Sequence, residues 1–207
     1  MRRLIAHLQS AVPKNNQSPA HLAIVAVDNA PVVARTVAAL ATSYASQGNQ
    51  VVTADLSSGA HLAHLLEVKN PGTQAVSRDG VTFMMAVPDR DDPAPVGPLR
   101  SVTSPAGPAQ SGDALVASDV PADLLLTLVT LDPALGGDHL ATWATKAVVV
   151  VSAGQSSTER VHGVGEMIRL AGTRLDSVVL IGADKSDQSL GLTRSPDEQA
   201  GIASLGR

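Results

Sequence analysis

His21-Leu-Ala-Ile-Val-Ala-Val27, Asp28-Asn-Ala-Pro-Val-Val-Ala-Arg35, Thr36-Val-Ala-Ala-Leu-Ala-Thr-Ser-Tyr-Ala-Ser-Gln47, Gly48-Asn49 and Gln50-Val-Val-Thr-Ala-Asp55 follow one another, and this stretch decides the fold. The first segment is a short apolar run with no polar alternation, as in a strand buried on both faces. Val37, Leu40, Ala41 and Tyr44 recur at helical spacing, and Gly48 stands where a helix commonly ends. A second apolar strand then closes on Asp55. Strand, loop over 28–35, helix over 36–47 and strand over 50–54 make one βαβ unit, which implies a parallel sheet. In such units a ligand commonly sits where the first strand feeds the helix.

The same alternation continues downstream. Val81-Thr-Phe-Met-Met-Ala-Val87, Asp123-Leu-Leu-Leu-Thr-Leu-Val-Thr130, Lys146-Ala-Val-Val-Val-Val-Ser152 and Asp176-Ser-Val-Val-Leu-Ile-Gly-Ala-Asp184 read as strands. Ala60-His-Leu-Ala-His-Leu-Leu66 and Gly137 to Thr145 read as short helices, and Asn70-Pro-Gly-Thr73 as a turn. Ser156 and Glu159 have capping-box spacing for a helix to Ala171, with Val161, Val164, Ile168 and Ala171 as its core stripe and Gly172 as its stop. The expected fold class is α/β, a three-layer, doubly wound, mostly parallel sheet of about six to seven strands.

Three stretches carry a family resemblance. Thr36-Val-Ala-Ala-Leu-Ala41 with Gly48 and Val51-Val-Thr-Ala-Asp55, then Ala153-Gly-Gln-Ser-Ser-Thr-Glu-Arg160, then Asp176 to Asp184, stand where similar segments stand in the MinD/ParA-like P-loop ATPases. The chain resembles most closely the bacterial tyrosine kinases of capsule assembly (CpsD/CapB-like), over roughly residues 20–190. The resemblance implies a P-loop NTPase-like domain over 21–190, an N-terminal helix and connector over 1–20 and a tail over 191–207.

The resemblance fails where that family does chemistry. A phosphate-binding loop needs glycines whose N–H groups wrap the phosphates, a lysine and a hydroxyl. Residues 28–36 hold no glycine and no lysine: Ala34 takes the lysine place and Arg35 the first hydroxyl place. Pro31 removes an N–H, Val32 and Val33 disfavour positive φ, and Asp28 would repel a phosphate. A plain strand-to-helix turn, with Asp28 or Asn29 near the cap and Pro31 opening the helix, is the simpler reading. Ser57 stands where relatives have a second aspartate, Leu128 where they have the Walker B carboxylate, and Ile181 where they have an asparagine facing adenine. Asp132 could replace that carboxylate only if the strand were shifted. The tyrosine-rich tail is absent, Tyr44 being the single tyrosine.

Two readings of function follow. In the first, the chain is a catalytically inactive member of this fold with no cofactor, a protein-binding or regulatory partner in cell-envelope or exopolysaccharide assembly. Its partner would be a membrane polysaccharide-assembly protein, its location cytoplasmic or at the membrane through that partner, and homo-oligomers stay open. In the alternative, an atypical ATPase or tyrosine kinase binds ATP and magnesium through Asn29, Arg35, Thr36 and Asp55. A MinD-like localisation factor that self-associates is a further alternative.

Composition narrows the rest. The chain has 207 residues, 44% hydrophobic but 1% aromatic, so Ala, Val and Leu must build its core. A net charge of −4 without a basic block argues against nucleic acid. There is no cysteine, hence no disulfide and no thiolate chemistry. No apolar run approaches the ~20 residues of a membrane helix. Residues 3–11 read as a small helix, either packed on the domain or docked on a partner or membrane surface. Seven prolines between Pro88 and Pro121 mark a loop at 88–121. His61 and His64 share a helical face but have no acidic or thiol neighbour there, so a surface pair is the simpler reading than a metal site. Trp143 reads as a packing residue.

Overall fold

The computed structural model describes residue 8 and residues 20–88, 122–131 and 140–183. Most of the expected N-terminal helix and connector, almost all of the proline-rich loop, Asp132 and the tail lie outside these residues. Leu8 is helical and fully buried in the core.

Among the described residues seven strands form one sheet: β1 (Ala20–Ala26), β2 (Val51–Leu56), β3 (Gly72–Arg78), β4 (Val81–Val87), β5 (Leu124–Val129), β6 (Lys146–Ser152) and β7 (Arg174–Ile181), in the order β3-β4-β2-β5-β1-β6-β7. All neighbours are parallel except the β3–β4 hairpin. Helices α1 (Ala30–Ala45) and α2 (His61–Leu65) cover one face; α3 (Leu140–Trp143) and α4 (Thr158–Leu170) cover the other. This is the expected three-layer, mostly parallel α/β architecture.

Alternation along each strand decides which layer a residue joins. Leu22, Ile24, Leu124, Leu126, Leu128, Val148 and Val150 meet Val33, Val37, Leu40 and Ala41 of α1. Ala23, Val25, Ala147, Val149 and Val151 meet Leu140 of α3 and Val164 and Ile168 of α4. The central strands are apolar on both faces because both are covered. Trp143 is 1% exposed and packs with Val52, Ala54 and Leu125, as a packing residue does. Ala23, Thr127 and Ala54 lie side by side across β1, β5 and β2 on that same face. The Thr127 hydroxyl is buried there with no hydrogen-bond partner among the described residues.

Several elements differ from the sequence expectation. Helix α1 begins at Ala30, not Thr36, so the loop expected over 28–35 is mostly helix. Pro31 stands in the first turn, where a missing N–H costs nothing. Strand β3 occupies 72–78, where only a turn was expected at its start. Its hairpin turns on Asp79 (φ 51°) and Gly80 (φ 76°), both in the left-handed region that two-residue hairpins need. Helix α4 is capped by Ser157, whose side chain accepts the Arg160 N–H, and not by Ser156. Finally, β7 spans 174–181, two residues earlier than expected at its start.

Candidate functional site

The candidate site is the C-terminal edge of β1, β5 and β2, where parallel α/β sheets hold ligands. Between β1 and α1 lie only Val27, Asp28 and Asn29. The Val27 N–H is spent on the Val150 carbonyl at 3.1 Å. Asn29 adopts φ 44°, ψ 44° and makes no side-chain cap. Its carbonyl accepts the N–H groups of Val32 (2.9 Å) and Val33 (3.3 Å), and Pro31 has none to offer. Of the N–H groups that a helix start leaves open, Val32's is therefore turned back and Pro31's is missing, while the Val33 N–H makes the ordinary first bond of the helix.

The anion-repelling group is fixed in place. Asp28 accepts a hydrogen bond from the Ser156 hydroxyl, tying the β1–α1 turn to the loop that follows β6. That loop continues to Ser157 and Glu159. Glu159 is held below the usual carboxylate range by a hydrogen bond to its own backbone and by the Ser157 hydroxyl. No signal but the closeness of the two loops in a parallel fold could have revealed the Asp28–Ser156 pair.

Arg35 lies exposed on the second turn of α1, while Thr36 beside it is fully buried. The Thr36 hydroxyl donates to the Val32 carbonyl at 3.1 Å, the ordinary behaviour of a threonine inside a helix. Ala34, in the lysine place, is 1% exposed within the core. Leu128, in the Walker B place, is fully buried between Ile24 and Asp55 in register.

Asp55 is 5% exposed, and its carboxylate is fully engaged. Oδ1 accepts the Ser57 N–H (2.9 Å) and hydroxyl (2.6 Å); Oδ2 accepts the N–H groups of Leu62 (2.7 Å) and Ala63 (2.8 Å). It thus caps α2 and fixes the turn before it. Since β5 separates β2 from β1, Asp55 stands two strand spacings, about 10 Å, from the line of β1. Thr36 is thus bonded within α1, and Asp55 to the turn and helix that follow β2. Beyond them, the Ser58 N–H donates to the Thr130 hydroxyl at 2.9 Å and ties the ends of β2 and β5 together.

His61 lies against Gly59, where a Cβ would meet its ring at 2.6 Å, and His64 is exposed. Among the described residues no group of three or more His, Cys, Asp or Glu is placed to hold a metal. No described helix is long and apolar enough to cross a membrane. A groove of about 490 Å³ opens elsewhere, between α4 and the start of β7, lined among others by His162, Glu166, Arg169 and Leu175.

No family model matches the chain, and no curated protein matches it in sequence. Solved structures do match. The kinase domain of the Escherichia coli tyrosine kinase ETK superposes with a TM-score of 0.53 at 13% identity, over 89% of this chain and 76% of that one. The BceF tyrosine kinase domain does so with a TM-score of 0.50 at 15% identity, over 86% and 74%. The chain is therefore similar in fold to bacterial tyrosine kinase domains, as the three local stretches of sequence implied.

Proposed function

We propose that this protein is a non-catalytic member of the P-loop kinase-like fold that works as a protein-binding or regulatory partner. One observation carries the reading: α1 starts at Ala30, and its first turn directs the N–H groups of Val32 and Val33 back to Asn29. A helix entered this abruptly leaves no loop to wrap a phosphate chain. The buried Ala34 and Leu128, in the lysine and Walker B places, support the same reading. A setting in cell-envelope or exopolysaccharide assembly, in the cytoplasm and at the membrane through a partner, is carried over from the resemblance to the capsule kinases.

Calorimetric titration of the full chain with ATP and ADP plus magnesium tests it. No heat is expected up to millimolar nucleotide. Micromolar, magnesium-dependent binding that disappears in Arg35→Ala would restore an ATP-dependent enzyme and overturn the proposal.

A further inference from the structure

Among the described residues, β3 and β7 form the two edges of the sheet, and they are built differently. Edge strands expose unpaired N–H and C=O groups, and proteins usually guard them with proline, charge or polar side chains. At one edge, β3 is preceded by Pro71 and carries Gln74, Ser77 and Arg78. At the other edge, β7 begins with Arg174 and Asp176, but these sit 3.9 Å apart and offset each other. From Ser177 to Ile181 it has neither charge nor proline. Leu175, Val178 and Leu180 are 43%, 53% and 37% exposed.

These three residues share a face. They stand in register with Ala147, Val149 and Val151 of β6, which turn toward α4, while the register shift between Ala147 and Val148 leaves Asp176 as an extra residue. With that bulge set aside, the exposed stripe reads Leu-x-Val-x-Leu. It is symmetric about Val178.

We propose that β7 pairs antiparallel with β7 of a second copy of this chain, around a two-fold axis at Val178. The symmetry of the stripe makes the edge complementary to itself: Val178 meets the partner's Val178, and Leu180 meets the partner's Leu175. An isologous contact of this kind requires that match. No unpaired charge is brought in, because Arg174 and Asp176 already offset each other within one chain. The pairing joins two seven-stranded sheets into one and leaves the C-terminal edge of β1 free, so it does not depend on whether nucleotide binds there.

The chain has no cysteine, which makes the test clean. Val178→Cys should crosslink to itself with a short bismaleimide and run as a dimer, whereas Ser77→Cys on β3 should not. Sedimentation of the full chain should show a species of twice 21.1 kDa growing with concentration. Val178→Asp sets two carboxylates face to face on the axis and should leave a monomer with an unchanged circular dichroism spectrum. A monomer up to about 1 mM, a dimer that survives Val178→Asp, or equal crosslinking of the Ser77→Cys and Val178→Cys variants would each overturn the proposal. So would a monomeric Val178→Cys variant whose thiol resists labelling, since another segment of the same chain would then cover the edge.

Discussion

Asp55 Oδ2 accepts the backbone N–H of Leu62 at 2.7 Å, across seven residues of sequence. The acid that closes the second strand is thus the cap of the following helix, in addition to holding the Ser57 turn. Its removal strands four donors, three of them backbone N–H groups. Asp55→Ala is expected to cost about 3 kcal/mol of stability, and Asp55→Asn clearly less, since one acceptor oxygen remains. Urea denaturation of the two variants measures the difference.

Rebuilding a phosphate loop by point mutation is expected to fail. Ala34 is 1% exposed inside the core, so Ala34→Lys buries an ammonium among apolar side chains. A loss of about 3 kcal/mol or more is expected, with no gain in nucleotide affinity. Thermal melts with and without magnesium-ATP check both halves: a nucleotide-dependent rise in Tm for the variant would contradict the prediction.

Thr127 offers the opposite sign. Its buried hydroxyl lacks a partner among the described residues, and valine has nearly the same shape. Thr127→Val is expected to stabilise the fold by about 1 kcal/mol. Equilibrium unfolding would show it as a higher midpoint at unchanged slope.

His21 gives the fold a pH dependence. Burial lowers its pKa below the ordinary 6.5, because the partly covered ring on β1 charges less readily than in the unfolded chain. Below pH 6.5 the unfolded state binds the extra proton first, so this residue lowers stability as pH falls from 6.5 toward its folded pKa and has no effect above. His21→Gln should flatten that part of the stability curve, measured by denaturation between about pH 7.5 and about pH 5.

The strands that sequence exposed most plainly are those covered on both faces. Leu124–Val129 and Lys146–Ser152 have unbroken apolar runs, since no face of either meets water. β3 was hidden by the converse cause: an edge strand can alternate small and polar residues, and Gly-Thr-Gln-Ala-Val-Ser-Arg has no apolar run. The Asp79-Gly80 pair between it and β4 is the available signal, since such a dipeptide favours a two-residue hairpin. The true start of helix α1 is obscured because residues 28–35 stand where a glycine-rich loop stands in the resembling family. Pro31, favoured in the first turn of a helix, is the residue that marks the true start. Ser156 and Ser157 are chemically equal as caps of α4, and only the loop's approach to Asp28 separates them. Nothing local in the sequence marks Asp28 with Ser156, or Ser58 with Thr130, as pairs, since each joins loops more than seventy residues apart.

The strand order also governs how the chain can be made. β1 does not pair with β2, the next strand in sequence; its partners are β5 and β6, which begin at residues 124 and 146. A nascent chain emerging from the ribosome therefore carries its first strand, Ala20–Ala26, without a mate on either side until Leu124–Val129 has also appeared. Contacts of such sequence separation form slowly. The interval of greatest exposure to chaperones and to misassembly lies during synthesis, and it closes only when Leu124–Val129 enters between β1 and β2.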